Sequence, residues 1–95
     1  MTVDVPVASD FILEQNYPNP FNPTTRINYS VPYASYVRLA LYDILCNQVK
    51  VLTDEEKAPG NYSYTLNAAG LSSGVYFVRL NAGSSNRIIK ITLTK

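Results

Sequence analysis

Ninety-five residues are enough for one domain and too few for two. At that size about 60–65% of the unfolded chain's surface can be buried, so a modest core forms without disulfide or metal. A hydrophobic share of 46% excludes disorder, and a net charge of +1 with scattered acids and bases excludes an electrostatic footprint for nucleic acid or anionic lipid.

Residues 1–10 are short alternating Val, Asp, Pro, Ala and Ser, and read as a tether to something upstream. Val3, Val5 and Val7 suit an edge strand, but Pro6 removes a ladder donor. Met1 is followed at once by polar, valine-spaced residues, so no signal peptide is expected here. No apolar run reaches membrane-span length, and no stable membrane insertion is expected.

The domain proper is expected over residues 11–95. Phe11-Ile12-Leu13 is a short apolar run, followed by three prolines within Pro18–Pro23. Each proline fixes its own φ and drives the preceding residue out of the α region. The segment is therefore a stiff loop, with Tyr17 and Phe21 free to pin it against the body.

Strand signals then repeat. Ile27, Tyr29 and Val31 alternate with Arg26, Asn28 and Ser30, and Val37, Leu39 and Leu41 with Arg38, Ala40 and Tyr42, which is the period-2 signature of one buried face. Asp43 to Asn47 is the expected reversal and Val49 to Leu52 its returning partner. Thr53 to Pro59 reads as a charged connection. Gly60 opens a strand carrying Tyr62, Tyr64 and Leu66, and Asn67 to Gly74 reads as a turn-rich crossing with positive φ expected at Gly70 and Gly74. Val75 to Leu80 is nearly continuous in apolar residues, as a central strand covered on both faces would be. A turn over Asn81–Ser85 leads to a last strand, Arg87 to Leu93, with Ile89, Ile91 and Leu93 facing inward. Eight tyrosines and the lack of any useful helical pattern agree with strands throughout. The expectation is an all-β, immunoglobulin-like antiparallel β-sandwich of about seven short strands.

Little chemistry is available to such a chain. There is no histidine, so the usual general base and metal ligand is missing. Asp54-Glu55-Glu56 is the one acidic cluster, but adjacent acids on a loop tip do not flank a sugar bond and lack the spacing of a calcium loop. Cys46 is alone, and reads as a small buried hydrophobe. Tyr17, Tyr33, Tyr36 and Tyr42 could stack on carbohydrate if aligned; the plainer reading is half-buried sandwich aromatics. No catalytic site and no cofactor are expected.

Three stretches carry a resemblance. They are Leu13-Glu14-Gln15-Asn16-Tyr17-Pro18-Asn19-Pro20-Phe21-Asn22-Pro23-Thr24-Thr25, Leu41-Tyr42-Asp43, and Leu71-Ser72-Ser73-Gly74-Val75-Tyr76-Phe77-Val78-Arg79-Leu80. With the closing Lys90-Ile91-Thr92-Leu93-Thr94-Lys95, the chain resembles the type A C-terminal sorting domain of the type IX (Por) secretion system, over residues 11–95. That family is itself similar to the immunoglobulin-like domain of flagellar hook-capping proteins. The resemblance implies a non-catalytic signal from the Bacteroidetes or neighbouring phyla, directing an N-terminal passenger through the periplasm to the cell surface or medium. It implies an outer-membrane translocon and a sortase-like peptidase as partners, and a monomer. Recognition is then expected at Tyr17, Pro18, Asn19, Pro20, Phe21, Gly74, Val75, Tyr76, Lys90, Leu93 and Lys95. The proline loop could equally serve to cap the sandwich.

The family often has Gly where Cys46 stands, so Asn47 is expected to take the strained turn position or the turn to change type. It often has Trp or Phe near Leu66, so a slightly smaller core is expected there. The alternatives to a sorting signal are a carbohydrate-binding or adhesive module of an extracellular enzyme, and a structural spacer.

Overall fold

A computed structural model describes residues 10–95. The expected tether and the Val3-Val5-Val7 edge strand lie outside the described residues, apart from Asp10 at the boundary. Seven strands follow in order: β1 (Ile12–Leu13), β2 (Thr24–Val31), β3 (Ser35–Asp43), β4 (Gln48–Lys57), β5 (Gly60–Asn67), β6 (Gly74–Ala82) and β7 (Ser85–Leu93). They form two antiparallel sheets, β1-β2-β5 and β4-β3-β6-β7. The chain crosses between the sheets after β2, after β4 and after β5, as in immunoglobulin-like sandwiches.

The alternation written in the sequence builds the core. Ile27, Val31, Val37, Leu39, Leu41, Val78 and Ile91 are fully buried, and Tyr29, Leu66, Leu80 and Leu93 nearly so. Val49, Tyr62, Tyr64 and Ile89 pack against them while partly exposed. Phe11 is buried beside β1 and meets Tyr33 edge-on, with ring centroids 5.4 Å apart. Burial raises the Tyr29 phenol pKa, opposed by a hydrogen bond with Thr53.

Several expectations are corrected. Residues 53–57 are not a connection: β4 continues to Lys57, with Arg38 opposite Asp54 and Tyr36 opposite Glu56. An edge strand tolerates such charges because one side of it faces water. The side chains also find local partners. Lys57 Nζ sits 2.7 Å from Glu55 Oε2 and 4.9 Å from the centroid of the Tyr62 ring. β6 is central in its sheet but covered on one face only. Tyr76, Val78, Leu80 and Ala82 are buried, whereas Val75, Phe77 and Arg79 are half-exposed. The turn expected over Asn81–Ser85 is tighter, because β6 runs to Ala82 and β7 starts at Ser85.

The β3–β4 reversal falls on Asp43–Asn47 as expected, but its strain does not. Cys46 itself takes φ +66° and is exposed, so it is neither spared by Asn47 nor a buried hydrophobe. The Asp43 carboxylate explains why the turn closes without glycine. It accepts the Leu45 and Asn47 N–H groups, both at 2.9 Å, while the Asp43 carbonyl accepts Cys46 N–H at 3.0 Å. These bonds hold the turn shut around the disfavoured residue. Gly74 takes positive φ (+149°) as expected, and Gly70 does not.

Two outcomes follow for this turn. Cys46→Gly relieves a left-handed residue at some cost in unfolded-state entropy, so urea unfolding should show a gain of up to about 1 kcal/mol with unchanged m-value. The N–H groups of Asn47, first, and of Leu45 hold the Asp43 carboxyl below its ordinary pKa. Its contribution is therefore complete above the ordinary carboxyl range and disappears as pH falls through the lower folded value. In an NMR titration the Leu45 and Asn47 amide shifts should move together with a midpoint below that of an unstructured aspartate; a midpoint at the unstructured value would contradict the turn geometry.

Candidate functional site

The proline loop is held by side chains, because prolines 18, 20 and 23 have no N–H to give. The Tyr17-Pro18, Asn19-Pro20 and Asn22-Pro23 bonds are all cis. Asn16, buried to 3% exposure, donates from Nδ2 to the Pro18 carbonyl (3.1 Å) and to Thr25 Oγ1 (2.9 Å). Thr25, 1% exposed, donates its hydroxyl to the same carbonyl at 2.9 Å. A buried amide and a buried hydroxyl are thus satisfied by each other and by one proline carbonyl, as buried polar groups require.

The far side of the loop is fastened to the last strand. Phe21 is 2% exposed and forms a parallel bridge with Leu93, its N–H reaching the Thr92 carbonyl and its carbonyl accepting Thr94 N–H, each at 2.9 Å. Asn19 Oδ1 accepts the Thr92 N–H at 3.0 Å, and Gln15 Nε2 donates to the Lys90 carbonyl at 2.7 Å. On the other side of β7, Gly74, Val75 and Tyr76 pair with Leu93, Thr92 and Ile91. The Tyr76 hydroxyl donates to the Ser72 carbonyl at 2.7 Å and so fixes the crossing before β6. Lys95 Nζ donates to the Ala69 carbonyl at 2.7 Å.

Asn19, Phe21, Gly74, Val75, Tyr76, Leu93 and Lys95 therefore meet around the C-terminal end of β7, and Lys90 joins through its backbone. Pro18 and Pro20 lie exposed on the loop between them. Tyr17 departs from expectation. It does not pin the loop by burial but stands 81% exposed, while its backbone exchanges hydrogen bonds with Arg26. Phe21 alone is the apolar pin.

Sequence reasoning missed Gln15, Asn16 and Thr25 as the polar clamp. Thr25 did leave a trace, since it extends the inward series Ile27, Tyr29, Val31 by one step. Asn16 left none, because amide burial depends on a carbonyl brought back by the turn. The four tyrosines weighed as a sugar platform do not form one. Tyr17 belongs to the β2 side, Tyr33 packs on Phe11, and Tyr36 and Tyr42 sit six positions apart on β3 of the other sheet. Among the described residues, no group of three or more His, Cys, Asp or Glu could hold a metal ion, and no helix is long and apolar enough to cross a membrane.

Removing the pin should be felt at the other end of the chain. Phe21→Ala should cost about 3–5 kcal/mol in urea unfolding. Asn19→Ala should cost only about 0.5–1.5 kcal/mol yet accelerate hydrogen exchange of the Thr92 amide several-fold. An unchanged Thr92 amide would mean that the loop does not close this edge in solution.

A search among curated proteins finds no match to the chain. The family model of the secretion system C-terminal sorting domain matches residues 15–94, a span that contains the whole loop and strands β2 to β7. The chain therefore belongs to that family, a C-terminal sorting signal for type IX secretion, which implies an N-terminal passenger and export to the cell surface or medium.

Proposed function

We propose that this domain works as a folded, non-catalytic export label, and that the end of the sandwich where the proline loop locks onto β7 is the part the secretion machinery grips. One observation supports this reading above the others. The family's most specific motif, Tyr17-Pro18-Asn19-Pro20-Phe21, and the closing strand form one hydrogen-bonded unit, with Phe21 bonded to Thr92 and Thr94. A loop whose shape is already fixed loses little entropy on docking, which suits repeated recognition of one rigid outline. Its exposed parts, Tyr17, Pro18, Pro20 and Lys95, offer the contact surface, and its buried parts, Phe21, Tyr76 and Leu93, maintain the shape. In this reading the partner is an outer-membrane translocon, a sortase-like peptidase later separates label from passenger, and the domain acts as a monomer.

The test is a reporter passenger fused ahead of residue 1 in a host with the secretion system. The intact chain should carry the reporter to the surface or medium. Deleting residues 88–95, or exchanging the whole domain for an unrelated sandwich of similar size, should leave it in the periplasm. Export by the unrelated sandwich would reduce the domain to a spacer and remove this reading.

A further inference from the structure

The Tyr17 and Arg26 N–H groups each donate to the other residue's carbonyl, at 3.0 and 2.9 Å, so the two residues stand directly opposite one another in an antiparallel bridge. Their side chains consequently leave the backbone on the same face, with Cβ atoms about 5 Å apart. That face is the outer one, because the neighbouring positions Thr25 and Ile27 are buried in the sandwich. Tyr17 and Arg26 are both exposed, and together with Pro18, Thr24, Asn28 and Thr65 they line a shallow groove.

The groove has a definite electrostatic character. Of the four arginines, Arg38 donates to Gln48, Arg79 to Asn86, and Arg87 to Asp10, whereas the Arg26 guanidinium has no hydrogen-bond or ion-pair partner among the described residues. No acidic side chain lines the groove. An unpartnered guanidinium beside an exposed phenol ring suits a carboxylate, which it can bind through two parallel hydrogen bonds. Tyr and Arg are also the residue types most often found as energetic anchors of protein interfaces. The walls are preformed, since the Tyr17 backbone is bridged to β2 and the Pro18 carbonyl is held by Asn16 and Thr25. The alternative occupant, a neutral glycan, has no use for the charge, and a single ring offers it only one stacking surface.

We infer that the Tyr17–Arg26 groove receives an aspartate or glutamate side chain from a protein of the export machinery. This rests on the sorting-domain reading and adds to it the site's chemistry, with Arg26 as the charge that reads the partner.

The experiment uses the full chain behind a reporter passenger in an exporting host, with a photoreactive benzoylphenylalanine in place of Thr65 on the groove wall. Irradiation should give a protein adduct whose crosslinked segment contains Asp or Glu. Arg26→Glu should abolish the adduct and lower export about tenfold, with thermal unfolding unchanged. Changing the mapped acid to Arg should restore export of that variant. Should Arg26→Glu fail to fold, Arg26→Gln carries the same readouts without charge reversal. An adduct on polysaccharide, the absence of any adduct, or an adduct and export indifferent to Arg26 would overturn the inference. Normal export of Arg26→Glu beside failed export of an unrelated sandwich removes this inference alone; export of both removes the sorting reading too.

Discussion

A loop that contains prolines at 18, 20 and 23 cannot pair with a neighbouring strand in the ordinary way, because three of its six backbone donors are missing. Everything distinctive about this domain follows from how that deficit is met. Phe21 supplies the one peptide that bridges to β7, the side-chain amides of Gln15 and Asn16 donate where main-chain N–H groups are absent, and Asn19 Oδ1 accepts from Thr92 N–H. Because those amides reach both the loop's own carbonyl and the β7 backbone, the loop is ordered against the strand. The loop takes its outline from the strand, which β6 already holds along its whole length.

The same arrangement settles how the larger sheet ends. A sandwich with open strands at its margins invites edge-to-edge association. At one margin, β4 carries Asp54, Glu55, Glu56 and Lys57 together with register shifts near Leu39/Ala40 and Leu41/Tyr42, both of which discourage further pairing. At the other margin, charge is replaced by cover, since the loop occupies the backbone groups of Lys90, Thr92 and Thr94. The two margins are blunted by different means, one polar and one steric.

Much of this was legible in the residues, and the limits were physical. Alternation identified the inward sides of β2, β3, β5 and β7, because a period of two survives whatever the sheet partner is. It failed where burial is asymmetric. The apolar run Val75–Leu80 suggested cover on both faces, yet a half-exposed face still accepts Val75 and Phe77 when neighbours such as Tyr42 flank them. Charge density misled at Thr53–Lys57, where an edge strand absorbs residues that composition assigns to a loop. At the hairpin, propensity favoured Asn47 for the left-handed position, but the Asp43 side chain fixes the turn so that Cys46 falls there. The site was legible as a motif, whereas its clamp depends on a carbonyl and an amide that meet only after folding.

The parallel sense of the Phe21–Leu93 bridge bears on how the domain carries mechanical load. In the proposed export reading, tension from an upstream passenger enters the loop from its N-terminal side, and a grip on the far end of β7 pulls from its C-terminal side. Two parallel segments pulled in those directions slide along each other, so their hydrogen bonds are strained in unison instead of opening singly like a zip. Ahead of that bridge the chain is held by the two paired residues of β1, by the buried Phe11 and by the Asp10–Arg87 ion pair. The fastening behind them resists as one body, and a tug on the cargo draws the whole domain along instead of unravelling it.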